Sequence, residues 1–371
     1  MSRRLSKAGL WWCCLAIAAS VLVGCGGGSE ETGTAADRPK PSTASEEKAK
    51  PEDKGEVADV FKNAGPLECP SRSEEVAVTL DVDPNGTNAG VEMALKRGFF
   101  TDAGLEVFVG GPKNPARAVH YVTAGVSDIG IAQQPQVVLA SEEGGAPVVA
   151  IGGLIHKANA AMIWLPESGI RSLADLEGKT VGIPGAPFQE AFLEQVLERA
   201  GLRLDDVTVK RTNYKSADAL LEGRVDAVFG GTWNGLGAEL ESRGADPVAM
   251  RARALGLPPY EELVVIAPAK CARQHPGVMR AFMRAVMRGT QAARNHPVEA
   301  ANFAAQSYRL DPRFRMRYLR AQFKASLPLL STDPHMDLAK AAGLVAWMQK
   351  EGIVKRKPPV DDMFTNTYLA P

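Results

Sequence analysis

The chain has 371 residues, with 43 Lys and Arg against 43 Asp and Glu, and 45% of its residues are hydrophobic. Such a balance excludes a fibrous protein or a disordered polyelectrolyte, and the lack of a basic excess argues against nucleic acid as a partner. With 36 glycines and room for two lobes, the body of the chain reads as globular α/β.

The first segment reads as an address. Arg3, Arg4 and Lys7 precede an apolar run from Leu10 to Val23. That run is shorter than the roughly 20 residues a membrane-spanning helix needs, and its flanks fit a secretory leader over residues 1–24. It ends in Leu22-Val23-Gly24-Cys25, which resembles a bacterial lipobox. There, small residues admit the peptidase and the cysteine thiol takes up diacylglycerol, so Cys25 is the expected lipidation site. From Gly26 to about Lys62 the sequence is rich in Glu, Lys, Pro, Ser, Thr and Ala. This composition cannot bury enough apolar surface to offset chain entropy. Residues 25–66 are therefore expected to be a disordered tether that keeps the rest of the chain near a membrane. No second apolar run is long enough to cross one. Without the three basic residues of the leader, the mature chain has a formal charge of −3.

Cys13 and Cys14 leave with the leader, so Cys69 and Cys271 are the thiols of the mature domain. In an exported protein the two are candidates for a disulfide, and spacing alone leaves pairing and separate thiols about equally open. The histidines, His120, His156, His275, His296 and His335, are scattered, and none stands at zinc spacing from a Cys or another His. No metal or cofactor is expected.

Strands and helices then alternate. Val76–Val82 predicts a first strand, followed by the turn-rich Asp83–Asn88 and a helix from about Gly90 to Arg97. A strand over Leu105–Val109, a helix near Pro115–Gly125 and a strand over Asp128–Ala132 follow. After Gln133-Gln134-Pro135 a helix should run to about Glu143, and Pro147–Leu154 has the continuous apolar character of a buried strand. The pattern then restarts: strand Thr180–Ile183, turn Pro184-Gly185, helix Phe188–Ala200, strand Val207–Lys210, helix Ser216–Glu222 and strand Ala227–Gly230. Glu262–Pro268 is one more apolar strand, with helices from Gly277 onward. Such alternation implies parallel sheets with crossover helices, and the restart implies two lobes.

In open α/β sheets, ligands bind beyond the carboxyl ends of strands. Three polar turns stand there: Asp83–Asn88, Gln133–Gln136 and Pro184–Gln189. Their side chains can hydrogen-bond a polar solute. They can equally be turn formers and caps, and the sequence leaves the two readings balanced.

Several ordered motifs carry a resemblance. They are Leu80-Asp81-Val82-Asp83-Pro84-Asn85, Lys96-Arg97-Gly98-Phe99-Phe100, Ala124-Gly125-Val126-Ser127-Asp128-Ile129-Gly130-Ile131, Leu173–Gly182 and Gly223–Val228. Thr232-Trp233-Asn234, Pro259-Tyr260-Glu261-Glu262-Leu263 and Phe364–Leu369 complete the set. Over about residues 76–369 the chain resembles the NMT1/THI5-like, thiamine-pyrimidine branch of the substrate-binding proteins related to nitrate and sulfonate uptake.

The resemblance implies a two-lobed type II periplasmic-binding fold with a hinge and an interlobe cleft. Lobe 1 would take residues 67–178 and, after the return, 263–371; lobe 2 would take 179–262. It also implies that the returning strand runs away from the cleft, bringing Cys271 near Cys69 and favouring a disulfide between them. A relative with the same fold, the pyrimidine synthase of the yeast thiamine pathway, carries a Lys for pyridoxal phosphate and a reactive His on the turn matching Ala132–Gln136. This chain has Ala132 and Gln136 at those positions, and no Cys over Pro258–Val265 where the relative has a cysteine-rich cluster. Covalent catalysis thus lacks a candidate nucleophile, and an enzyme is not expected.

For a pyrimidine-like solute, Trp233 and Tyr260 are the expected stacking partners, with Phe188 behind them. Asp81, Asp83, Asn85, Asn88, Gln134, Gln189, Asn234 and Glu261 are the expected edge contacts. Val82 and Asn88 depart from the Trp and His common in relatives that bind thiamine pyrimidines, which puts the ligand in doubt. The implied partners are an ABC permease with its ATPase, a small solute and the membrane at the lipid anchor. The protein is expected to be a monomer, exported and facing the periplasm or the extracellular side. A hydroxymethylpyrimidine-type precursor ranks first as ligand, ahead of riboflavin and of a sulfonate or nitrate. An anchored sensor without transport is the other class that fits.

Overall fold

Two five-stranded sheets organise the molecule, and the chain passes between them twice. The computed structural model describes Cys69 and residues 75–110, 117–144, 148–213, 215–307 and 312–369, which fall within one compact unit. The expected leader, Cys25 and the tether lie outside the described residues. No described helix is long and apolar enough to cross a membrane.

The first sheet contains β1 (Glu75–Thr79), β2 (Glu106–Gly110), β3 (Ile129–Ala132), β4 (Val148–Ile155) and β10 (Leu263–Pro268) in the order β2-β1-β3-β10-β4. β1 runs parallel to β2 and β3, whereas β10 lies antiparallel between β3 and β4. Every residue of β3, β4 and β10 is buried, the pattern of strands covered on both faces. The second sheet contains β5 (Ala160–Trp164), β6 (Thr180–Ile183), β7 (Thr208–Arg211), β8 (Ala227–Thr232) and β9 (Val248–Arg251) in the order β7-β6-β8-β5-β9. These sheets, with their covering helices, make the two-lobed type II periplasmic-binding fold.

β5 and β9 have no periodic signal in the sequence. β5 is a five-residue apolar run, buried throughout and therefore without alternation, and β9 is four residues at a sheet edge. Because β5 pairs in the second sheet, the chain crosses at residues 156–159, and the stretch 67–178 expected for lobe 1 runs past this crossing. The chain returns to the first sheet through residues 252–262. The crossings are tied together, since Glu262 N donates to Ile155 O at 2.8 Å and Asn159 N donates to the Glu262 carboxylate at 2.8 Å.

The helices that matter for the cleft begin with α1 (Ala89–Lys96), α2 (Phe99–Asp102), α3 (Ala118–Thr123) and α4 (Gln134–Gly144) in lobe 1. α5 (Gln189–Arg199), α6 (Ser216–Leu221) and α7 (Ala238–Ser242) follow, with a π-helical turn over Trp233–Gly237 leading into α7. After β10 come α8 (Ala269–Gln274), α9 (Pro276–Asn295), α10 (Pro297–Ser307), α11 (Pro312–Ser326), α12 (Leu338–Lys350) and α13 (Val360–Met363). α9 buries one face against α1, where a Cβ on Gly289 would stand 2.0 Å from Gly90 O. Only glycine permits that approach.

One core cluster packs β1, β2 and β10 against α1 and α9 through Leu80, Phe100, Val265 and Phe282. A second runs from Ile266 and Val148 of the first sheet to Met162 and Phe229 of the second. At its centre the Phe192 ring meets Tyr260 edge-on at 6.4 Å and Trp347 at 4.9 Å. At the end of β10 remote from the crossings, Cys271 on α8 is disulfide-bonded to Cys69, with Cα atoms 5.2 Å apart.

Candidate functional site

A cleft of about 330 Å³ lies between the sheets, lined from lobe 1 by Asp81, Val82, Asp83, Asn85, Gln133 and Gln136. Asn159 and Glu262 from the crossings form part of its wall. Gln189, Gly230, Gly231, Thr232 and Glu239 contribute from lobe 2, and Tyr318 and Gln322 of α11 enter from the C-terminal part. No Lys, Arg, His or Cys is among the described lining residues.

The first turn is built by its own side chains. Asn88 Oδ1 accepts from Asn85 N at 2.9 Å, and Asn88 Nδ2 donates to Asp81 Oδ1 at 3.3 Å. Asn85 Oδ1 accepts from Thr87 N at 2.7 Å and from Gln322 Nε2 at 3.0 Å, while Gln322 Oε1 takes Gly86 N at 2.6 Å. α11 thus fastens the turn that presents Asp81. In lobe 2, Gln189 Oε1 receives Gly185 N and Ala186 N at 2.8 and 2.9 Å, shaping the turn after β6. Gly230, at φ +80°, leaves no room for a Cβ, which would meet Gln189 Nε2 at 2.7 Å.

Carboxylates dominate the electrostatics. Asp81 is pushed up to about 6, chiefly by withdrawal from water, against the opposing pull of Asn88 and with a further upward push from Glu262. Burial likewise raises Glu262, although Gln133 Nε2 donates to it at 2.7 Å and Asn159 N at 2.8 Å. Glu239 is raised by burial and partly compensated by Arg243 at 3.2 Å. Such a site suits donors and positive charge, and disfavours an anion.

Of the expected contacts, Asp81, Asp83, Asn85 and Gln189 line the cleft. Asn88 stands behind Asp81 as the residue that orients it. Gln134 is turned to the return crossing, where its Oε1 accepts Glu261 N at 2.9 Å. Asn234 is buried, taking Asn159 Nδ2 at 2.8 Å and donating to Ser326 Oγ at 2.8 Å. The expected stacking residues are elsewhere. Tyr260 is fully buried with its hydroxyl pushed well up by burial, then by the charge of Glu262. Phe188 packs edge-on to Phe192 at 5.0 Å, and Trp233 lies under the Arg251 guanidinium at 4.1 Å. None of the three is among the cleft-lining residues.

Glu261 and Glu262 face opposite ways. Glu261 turns from the cleft into an ion cluster with His156 and with Lys340 Nζ at 3.2 Å, whereas Glu262 lines the cleft. Adjacent residues of an extended segment project to opposite sides, so the choice between them needed the register of β10. Asn159, Tyr318 and Gln322 also escaped the sequence reading. Asn159 sits in a crossing that the unrecognised β5 concealed, and α11 is remote in sequence from every strand that builds the cleft.

Two lobes, two crossings and a polar interlobe cleft define the class: a solute-binding protein. The chain belongs to the NMT1/THI5-like family, whose model matches residues 85–300. It is 29% identical to a putative thiamine biosynthesis protein of Haemophilus influenzae, over 76% of this chain and 89% of that one. It is 31% identical to the formylaminopyrimidine-binding protein of Halalkalibacterium halodurans, over 62% of this chain and 69% of that one. A relative in Legionella pneumophila, 26% identical over 70% of this chain and 81% of its own, is named a 4-amino-5-hydroxymethyl-2-methylpyrimidine phosphate synthase. Among solved structures, the alkanesulfonate-binding protein SsuA of Xanthomonas axonopodis pv. citri bound to MOPS shares the fold, with TM-score 0.64 and 14% identity over 81% of this chain and 100% of that one.

Proposed function

We propose that the protein is the solute-capturing component of an ABC importer, tethered to the bacterial cell membrane by lipid at Cys25 and facing outward. Its solute on this reading is a hydroxymethylpyrimidine-type thiamine precursor. The observation that carries the proposal is the lining of the cleft: carboxylates and amides, with no Lys or Arg among the described residues. An aminopyrimidine presents an exocyclic amine as donor and ring nitrogens as acceptors. Asp81 and Glu262 supply acceptors, and Gln133 and Gln189 supply amides able to do either. A sulfonate would enter a wall of like charge.

Closure of the lobes is part of the proposal. The solute first meets the Asp81–Asn85 turn of lobe 1, and the wall around Gln189, Gly230 and Thr232 then swings onto its other face about the two crossings. The permease reads the closed form. Release without chemical change is part of the proposal: the described lining offers no Lys, His or Cys, and Ser216 shares its hydroxyl with Thr212 at 2.7 Å instead of a base.

Thermal-shift screening of the purified protein against pyrimidines, riboflavin, sulfonates and nitrate tests this. A pyrimidine at 100 times its dissociation constant should add about 2.7 kcal/mol to the unfolding free energy. A melting point moved only by sulfonates or nitrate overturns the reading.

A further inference from the structure

Two neighbouring glutamates in the return crossing have opposite electrostatic fates. Glu261 is compensated by His156 and Lys340. Glu262, one residue on, is fully buried and accepts only neutral donors, Gln133 Nε2 at 2.7 Å and Asn159 N at 2.8 Å. Asp81 lines the same cleft as Glu262, and its side-chain partner is the neutral Asn88 amide at 3.3 Å. No cationic side chain pairs with either carboxylate among the described residues. Two acids sharing one cleft wall without a cation are costly, and burial deepens the cost.

A separate observation concerns Asn159, which lines the cleft and is 2% exposed. Its amide nitrogen is committed to Asn234 Oδ1 at 2.8 Å, yet its Oδ1 is a buried acceptor with no hydrogen-bond partner among the described residues. Since Asn159 N also binds Glu262, the orphan acceptor belongs to the same corner of the cleft as the uncompensated carboxylates. An unmet buried acceptor carries a full desolvation penalty.

We propose that the cleft takes a cationic solute, one whose protonated nitrogen sits between Asp81 and Glu262 and donates to Oδ1 of Asn159. This rests on the interlobe cleft being the solute site; it keeps the aminopyrimidine ring of that reading and replaces its hydroxymethyl group by an aminomethyl one. A primary ammonium has three donor hydrogens and no acceptor, and this corner offers three acceptors: two carboxylates and one carboxamide oxygen. A hydroxymethyl group brings a single donor and no charge. Between two aminopyrimidines of the same shape, the cleft therefore selects the aminomethyl over the hydroxymethyl compound.

Isothermal titration calorimetry at pH 7.5 decides it, with four probes on the purified protein. They are 4-amino-5-aminomethyl-2-methylpyrimidine, its 5-hydroxymethyl counterpart, putrescine and propanesulfonate. The aminomethyl compound is expected to bind at least tenfold more tightly than the hydroxymethyl one, since a charge-assisted bond is worth that much. The preference should shrink severalfold in both Glu262→Gln and Asp81→Asn, each checked for folding by circular dichroism. Equal affinity for the two pyrimidines, tighter binding of the hydroxymethyl compound, or a preference that survives both substitutions overturns the proposal. Binding of putrescine with neither pyrimidine retained would sustain the cationic cleft while removing the thiamine-precursor reading. Binding of the sulfonate alone, or of none of the four, removes both.

Discussion

A carboxyl group drawn partly out of water holds its proton longer, and Asp81, half-buried in the cleft wall, is a clear case among the described residues. The folded protein binds that proton more tightly than the unfolded chain, whose Asp titrates near 3.8. The contribution to stability is therefore fully present below about 3.8 and is lost as pH rises through about 6. An Asp81→Asn variant should melt above the wild type at pH 7.5, with the gap closing by pH 4; a gap independent of pH would show that Asp81 is not held protonated by burial. Gly230 is the second residue with a sharp expectation. Gly230→Ala places a side chain at positive φ and against Gln189, so solute affinity should fall about tenfold or more while the fold persists. At this scale the sequence was informative for turns and silent on direction. Asp81, Asp83 and Asn85 were legible because a polar turn after a strand announces itself. Glu261 and Glu262 are equivalent there, because nothing in one dimension tells which of two adjacent acids faces a cavity.

At the scale of elements, α11 and the α1–α9 pair decide how firmly the first turn is held. Gln322 makes two hydrogen bonds to that turn, and Ser326 on the same helix holds Asn234 of the π-helical turn, so α11 touches both walls of the cleft. Gln322→Ala should cost about 1–3 kcal/mol in urea unfolding, because it leaves buried groups unpaired; a loss within error would mean that the turn holds itself. Gly289→Ala forces a Cβ onto the α1 backbone, and about 1–3 kcal/mol is the usual penalty of overpacking. The alternating strands and helices were readable from apolar runs punctuated by Asp, Asn, Gly and Pro. β5 was not, since a fully buried five-residue strand has no polar face to give it a period.

At the scale of the whole molecule, the second core cluster makes a continuous apolar body of both sheets, and the disulfide closes a separation of 202 residues. Loss of a bridge over so long a segment should cost about 2–5 kcal/mol, in the chain-entropy account by freeing the unfolded state. Reducing it should lower the melting point and leave solute affinity within about twofold, since Leu263 lines the cleft while Cys271 stands beyond the other end of the same strand, about 20 Å away. A large fall in affinity on reduction would show that the bridge is coupled to the site. Two lobes and a return to the first were legible from the restart of the strand–helix pattern. The stacking partners were not, because an aromatic beside a cleft motif and an aromatic in the core have the same sequence context.

The bond from Asn159 N to Glu262 joins the two passages of the chain at the floor of the cleft. On the proposed function, a residue that meets the cargo would here also be part of the joint between the lobes. Variation at the floor would alter affinity and the ease of swinging together, so most substitutions there are penalised twice. Asp83 lines the same cleft, is half-buried and lies outside both crossings. On the proposed function, new cargo preferences in descendants of this chain should therefore be acquired at such positions before the crossings change.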